Sequence, residues 1–173
     1  HAHSWIMTFK DEYTAFKEYA RLYPDACTLL VDTYDTLKSG VPNAIRVFTE
    51  MREAGIKPKS YAIRLDSGDL AYLSKKARKM LDDAGFQDAV IAASNDLDEI
   101  LLHDLKMQGA AIDSWGVGTN LITSKDCPSF GGVYKLAAIQ NEEGEFVPKI
   151  KISENTEKIT NPGNKTIYRI YEK

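Results

Sequence analysis

Four times in succession the chain passes from a helical pattern to a short apolar strand pattern, and this alternation narrows the possible folds more than any other feature. Residues 11–23, DEYTAFKEYARLY, place Tyr13, Phe16, Tyr19, Ala20 and Tyr23 at helical spacing, and Pro24 ends the run. ACTLLVD (26–32) follows as a continuous apolar stretch, β-branched at Thr28 and Val31, in the manner of a strand buried on both faces. The same succession recurs as NAIRVFTEMREAG (43–55) with SYAIRLD (60–66), and as DLAYLSKKARKMLDDAG (69–85) with AVIAAS (89–94). It recurs once more as DLDEILLHDLKMQG (96–109) with AIDSWGVG (111–118). Pro42 opens one of these helices, and Gly55, Gly85 and Gly109 close them. Short connections between such units predict a parallel sheet with right-handed crossovers.

The texture changes after residue 124. GGVYKLAAIQNEEGEFVPKIKIS predicts antiparallel strands about an Asn-Glu-Glu-Gly turn, and TIYRIY (166–171) a further strand. The expected organisation is therefore an α/β part over 1–124 and a β-rich segment over 125–173. A closed eight-stranded α/β barrel needs about 250 residues. Half a barrel with a β appendage fits the strand count, and so does a small doubly wound sheet whose first strand precedes His1.

With 22 basic and 25 acidic side chains the net charge is −3, which excludes the basic field that duplex nucleic acid or an anionic membrane requires. Lys75, Lys76, Arg78 and Lys79 stand beside Asp82 and Asp83 and predict a solvated helix face. No apolar run approaches the roughly 20 residues of a membrane span, and no signal peptide is visible. Cys27 and Cys127 lie far apart and lack a metal-type partner cysteine, so a reduced intracellular setting is expected. The opening HAHSWIM, without an initiator methionine, reads as a piece of something longer.

Polar chemistry gathers at the C-terminal ends of the predicted strands. The first ends in Asp32 and continues through TYD to Asp35; the second ends in Arg64, Asp66, Ser67 and Asp69. The third ends in Ser94, Asn95 and Asp96, and the fourth in Gly116, Gly118, Thr119 and Asn120. In a parallel α/β protein these ends share one face, where active sites form. Glycines there let backbone N–H groups approach a phosphate, so GVGT and SND are candidate anion cradles. Asp69 and Asp96 can equally be plain helix N-caps. Arg64 calls for a partner, either Asp66 or an anionic ligand. His103 lies mid-helix and reads as packing or surface, whereas His3 falls at the end of a first strand on the catalytic face. A carboxylate such as Asp32 could orient the His3 ring there.

AHSWIM, LLVDTYDT, IRLDSGDL, SNDLDE, GVGTNLITS and KISENTEKITNPGNKTIYR together resemble the nicotinate phosphoribosyltransferase family, in order and spacing, across essentially the whole chain. The resemblance implies a C-terminal portion that starts at the histidine motif. It also implies the fold: a partial, irregular α/β barrel of the type II phosphoribosyltransferases followed by a small antiparallel β segment. The implied reaction joins nicotinate to 5-phosphoribosyl 1-diphosphate, giving nicotinate mononucleotide and pyrophosphate, coupled to ATP hydrolysis in NAD salvage. His3 matches the histidine that ATP phosphorylates. Arg64 and Asp66 match residues holding the nicotinate and ribose-phosphate parts, with Ser67 and Asp69 in the same motif. Gly116, Gly118 and Thr119 match the loop that cradles the 5-phosphate, with Ser94 and Asn95 close by. Asp32 matches the acidic group near the histidine and the Mg²⁺–pyrophosphate. A cytoplasmic homodimer is implied as well. The family's GT before AHSW and everything upstream are absent from this sequence, including the aromatics that sandwich the pyridine ring, so the piece is expected to be inactive alone. Strand-end chemistry by itself leaves open a nicotinamide or quinolinate phosphoribosyltransferase, or a non-catalytic phosphate-binding module.

Overall fold

A computed structural model describes residues 1–132, 134–152 and 159–172 of the chain. The chain divides into two compact units, His1–Pro128 and Ser129–Lys173.

The first unit carries helices α1 (His3–Ile6), α2 (Glu12–Leu22), α3 (Val41–Glu53), α4 (Leu70–Asp83), α5 (Glu99–Met107) and α6 (Thr119–Ile122). They alternate with strands β1 (Ala26–Leu30), β2 (Ser60–Leu65), β3 (Val90–Ala93) and β4 (Ser114–Trp115). The strands pair in the order β1-β2-β3-β4, all parallel, with Ala26 opposite Ser60, Ala62 opposite Val90 and Ala92 opposite Ser114. Sequential order brings each crossover to the next strand along, as in a barrel wall; no reversal of order creates the crevice of a doubly wound sheet.

Local chemistry sets the helix starts. The carboxylates of Asp11, Asp69 and Asp98 accept from the backbone N–H groups of Thr14, Tyr72 and Leu101, each satisfying a donor that the first turn leaves orphaned. One face of each longer helix then packs on the sheet. Phe16 of α2, Val47 of α3 and Leu81 of α4 meet Leu29, Leu30, Ile63, Leu65 and Ile91 in a continuous core. Fully burying each such side chain contributes roughly 1.5–3 kcal/mol. The basic residues of α4 are solvated or locally paired: Arg78 binds Asp82 at 2.8 Å and the carbonyls of Phe86 and Ala89, and Lys79 binds Asp83.

Several boundaries differ from the sequence expectation. His3 stands in the first turn of a four-residue helix, not at a strand end. A π-helical turn, Thr36–Gly40, precedes α3, with Asp35 accepting from Leu37 and Lys38 N–H. Helix α5 begins at Glu99 because Asn95 and Asp96 adopt left-handed φ values of 99° and 47°, leaving Asp98 as the cap. Strand β4 is only Ser114–Trp115.

The second unit contains a hairpin of β5 (Ala138–Gln140) and β6 (Phe146–Pro148), antiparallel with Ile139 opposite Val147. Its turn is closed by Asn141, whose side chain accepts from Glu145 N–H at 2.7 Å, and by Gly144 at φ 84°. The strand expected over residues 166–171 is not formed; among the described residues that stretch has no ladder partner. Residues 133 and 153–158, parts of the quoted GGVYK and KISENTEK stretches, lie outside the described residues.

Candidate functional site

The strand ends of the first unit are joined by a run of side-chain hydrogen bonds. Asp32 follows β1, and its carboxylate is almost fully buried, at 1% exposure. Its Oδ2 accepts from Asp66 N–H at 2.8 Å and from the Ser67 hydroxyl at 2.6 Å, which links the ends of β1 and β2. Asp66 in turn accepts the Ser94 hydroxyl on Oδ1, which links β2 to β3. Gly116 N–H donates to Ala93 O at 2.7 Å, and a β-carbon on Gly116 would stand 3.4 Å from that of Ser94, so the fourth strand end abuts the third.

His3 enters this array from α1. Its Nδ1 lies 3.1 Å from the Thr33 hydroxyl, while Nε2 lies 3.5 Å from Asp66 Oδ2 and 3.8 Å from Asp32 Oδ1. The orienting hydrogen bond to the ring therefore comes from Thr33; Asp32 sits beyond hydrogen-bond distance, on the opposite nitrogen. Asp32 Oδ1 is itself buried without a hydrogen-bond partner. A buried carboxylate oxygen left open beside an imidazole and a second carboxylate is an arrangement that awaits a cation or a donor.

Arg64 does not pair with Asp66. Its Nη2 donates to the His1 carbonyl at 3.2 Å and its Nε is buried without a partner. It lines a cavity of about 180 Å³ together with His1, Tyr19, Thr28 and Leu30. An Arg whose fork is mostly unused retains its capacity for a planar anion.

The remaining expected residues fall less centrally. Asp69 spends Oδ1 on the N-cap of α4, 2.9 Å from Tyr72 N–H. Asn95 and Gly118 are exposed on the loops after β3 and β4, and Thr119 is exposed at the start of α6. Gly118 has φ −115° and open space where a side chain would stand, so neither a positive φ nor a close contact within the chain requires glycine there. Asp35 serves the π-helical turn; the Lys38 N–H, chiefly, with help from the Lys38 ammonium and Leu37 N–H, holds its carboxyl below the usual range. One contributor went unforeseen in the sequence, Thr33, which carries no signal beyond its place after Asp32; Asn120 was among the strand-end residues, but its bond to the preceding loop was not foreseen.

Among the described residues no group of three or more His, Cys, Asp and Glu is placed to hold a metal alone. Asp32 Oδ1 and Asp66 Oδ2 nevertheless offer the one or two carboxylate oxygens with which proteins hold Mg²⁺ when substrate phosphates complete the shell. No described helix is long and apolar enough to cross a membrane, and Cys27 and Cys127 form no disulfide.

Comparison with known proteins gives a consistent result. No protein-family model matches the chain. A nicotinate phosphoribosyltransferase of Bacillus subtilis is 61% identical over 98% of the chain and 34% of that protein. One from Dictyostelium discoideum is 46% identical over 96% of the chain and 28% of that protein. The crystal structure of human nicotinic acid phosphoribosyltransferase superposes on 66% of the chain with a TM-score of 0.57 at 28% identity, covering 26% of the human chain. The chain thus spans about a third of the length of the curated relatives it matches.

Proposed function

The chain's kinship is with the nicotinate phosphoribosyltransferases, and from that premise we propose that it supplies the histidine and the phosphoribosyl-binding part of such an enzyme. The substrates are nicotinate, 5-phosphoribosyl 1-diphosphate and ATP; the products include nicotinate mononucleotide and pyrophosphate. The observation that carries this reading is the convergence of His3 with Asp32 and Asp66 at the sheet's C-terminal ends, beside the Ser94–Asn95 and Gly116–Thr119 loops. The whole enzyme is a cytoplasmic homodimer in this proposal.

The chain's own groups divide the work. Departure of pyrophosphate from the ribose C1 leaves an oxocarbenium-like sugar, so the site's task is positioning and anion holding more than nucleophilic attack. Arg64, with its unused fork, takes an anionic group of the substrates. Asp66, fixed by Ser94, directs its second oxygen toward the sugar and His3. Backbone N–H groups near Gly116, Gly118 and Thr119 receive the 5-phosphate, with Ser94 and Asn95 at its other side. Asp69 holds the start of α4, and Ser67 holds Asp32. Mg²⁺, held through Asp32 and Asp66, would neutralise the leaving diphosphate.

His3 couples ATP to the reaction. In the tautomer that donates Nδ1–H to the Thr33 hydroxyl, the Nε2 lone pair is on the side of Asp66 and Asp32. An N–P bond forms there as the terminal phosphoryl group leaves the ADP oxygen, and the proton stays on Nδ1. Hydrolysis of that bond returns the free imidazole.

The test is nicotinate-dependent release of pyrophosphate by the enzyme that carries this chain, measured with and without Mg·ATP. Stimulation by ATP together with acid-labile phosphate on the protein is expected. Binding of phosphoribosyl diphosphate without pyrophosphate release, for any pyridine acid, would leave a binding module in place of an enzyme.

A further inference from the structure

The loop after β3 carries two successive non-glycine residues in left-handed conformation, Asn95 at φ 99° and Asp96 at φ 47°. L-residues pay a steric penalty there, and such pairs persist where the surroundings hold them. On one side the holder is Leu97, 1% exposed and packed into the core. On the other side it is Asn120. Its Nδ2 donates to Asp96 O at 2.7 Å and to Leu97 O at 3.1 Å, across 24 and 23 residues of sequence.

Asn120 stands directly after Gly118 and Thr119, in the first turn of α6. An Asn near a helix start ordinarily serves the local backbone N–H groups; here the side chain is spent on a distant loop. Backbone pairing between the fourth strand end and the third is short. Strand β4 pairs with β3 through Ala92 opposite Ser114 and Ala93 opposite Trp115, and the Gly116 N–H bond to Ala93 follows directly. A two-residue pairing leaves the loop beyond it free to swing unless something further along pins it.

We propose that Asn120 is a positioning residue, a strut that fixes the spacing between the Ser94–Asn95 loop and the Gly116–Thr119 loop. The proposal rests on the functional reading above, in which those two loops hold the 5-phosphate from either side. It adds a third link to the two in the series Asp32–Asp66–Ser94, so that all four strand ends are tied by hydrogen bonds. Asn120 itself need not touch substrate.

The test uses Asn120→Ala, Asn120→Asp and Asn120→Gln in the enzyme that carries this chain. The Asp variant keeps the size and turns an oxygen toward two carbonyls, so a donor role makes it worse than Ala, while a purely space-filling role makes it milder. KM for phosphoribosyl diphosphate should rise about tenfold in Ala, the equivalent of one hydrogen bond, and further in Asp, with kcat changed by less than about threefold. Gln, which keeps the donor, should recover part of the loss. Independently of any ligand, amide hydrogen exchange at Asn95–Leu97 should quicken in Ala and Asp while melting temperatures hold. Unchanged exchange overturns the strut; quickened exchange with unchanged KM overturns its role in the site. A wild-type protein that neither binds nor turns over phosphoribosyl diphosphate overturns the functional reading instead, and the exchange arm still decides whether the tether exists.

Discussion

Gly40 lies so close to Val31 that a β-carbon on it would fall 1.7 Å from the Val31 carbonyl oxygen and 2.6 Å from its carbonyl carbon. Both partners are backbone, so no side-chain rotation relieves the contact. The π-helical turn ahead of α3 is thereby pressed against the residue that precedes Asp32, and Ser39, next to Gly40, donates to the buried Glu12 at 2.5 Å. Gly40→Ala must displace either the turn or the end of β1. The expected loss of stability is ~3 kcal/mol, at the upper end for overpacking. Gly55→Ala is the control: Gly55 has φ 73° and open space, so only its left-handed backbone is strained, at about 1 kcal/mol. Denaturant titration of both variants decides the point. A Gly40→Ala protein as stable as Gly55→Ala would remove the argument for this contact.

Cys27 gives a pH dependence of known sign. The thiol is buried in β1, and burial pushes its pKa up from 9.0 to about 12. At neutral pH it is protonated both folded and unfolded, so it costs nothing. Between about pH 9 and pH 12 the unfolded chain ionises and the folded chain does not, so stability falls as pH rises through this window. Cys27→Ala should flatten that part of the stability–pH curve. In native protein a disulfide reagent should modify the exposed Cys127 quickly and Cys27 only on unfolding. Rapid modification of both thiols at neutral pH would contradict the burial of β1.

The parallel sheet was legible because its signals are local: apolar runs such as ACTLLVD, closing glycines and the N-cap of Asp69 each act within a few residues. Asp32, Asp66 and Ser94 were legible for a similar reason, since a polar residue at the end of a buried strand has only one face to occupy. What escaped depends on distance. Thr33 as the partner of His3 needs a contact over 30 residues, and Asn120 as the partner of Asp96 one over 24. The pairing of Arg64 with Asp66 was a plausible reading of neighbours two apart, yet Arg64 turns to the His1 carbonyl, which no spacing foretells. Gly118 stands at an open, negative-φ position, so its place in the phosphate-cradle reading rests on backbone access and not on a left-handed conformation.

Arg64→Lys and Arg64→Ala separate charge from geometry. Lysine keeps the charge and loses the planar fork, so a bidentate role predicts loss in both variants, whereas a point-charge role predicts rescue by Lys. One charge-assisted hydrogen bond contributes ~1.5–3 kcal/mol, about a ten- to hundredfold fall in kcat/KM for Ala. The His1 contact is a single bond to a backbone carbonyl, so the fold should survive both substitutions. Steady-state kinetics with nicotinate and phosphoribosyl diphosphate varied in turn reads the result. Wild-type kcat/KM for both substrates in Arg64→Ala would leave Arg64 a purely structural donor.

The hydroxyl of Thr33 contacts one nitrogen of His3 and the carboxylates of Asp66 and Asp32 face the other. If Nδ1–H is donated to that hydroxyl, Nε2 carries the lone pair and receives the phosphoryl group. Thr33→Val removes the hydroxyl with little change in volume, and Thr33→Ser keeps it. Valine frees both tautomers to interconvert and lets the ring turn away from Asp66 and Asp32, so acid-labile phosphorylation by Mg·ATP should slow by about tenfold, in line with one hydrogen bond. Serine should restore most of the rate. Pyrophosphate release in the absence of ATP should be the same in all three proteins, because Thr33 acts only through His3. His3→Asn should carry no acid-labile phosphate yet retain that slow, ATP-independent release. Phosphate that survives in His3→Asn would place the modification on another residue, and equal phosphorylation rates in Thr33→Val and wild type would mean that the ring is oriented by the carboxylates alone.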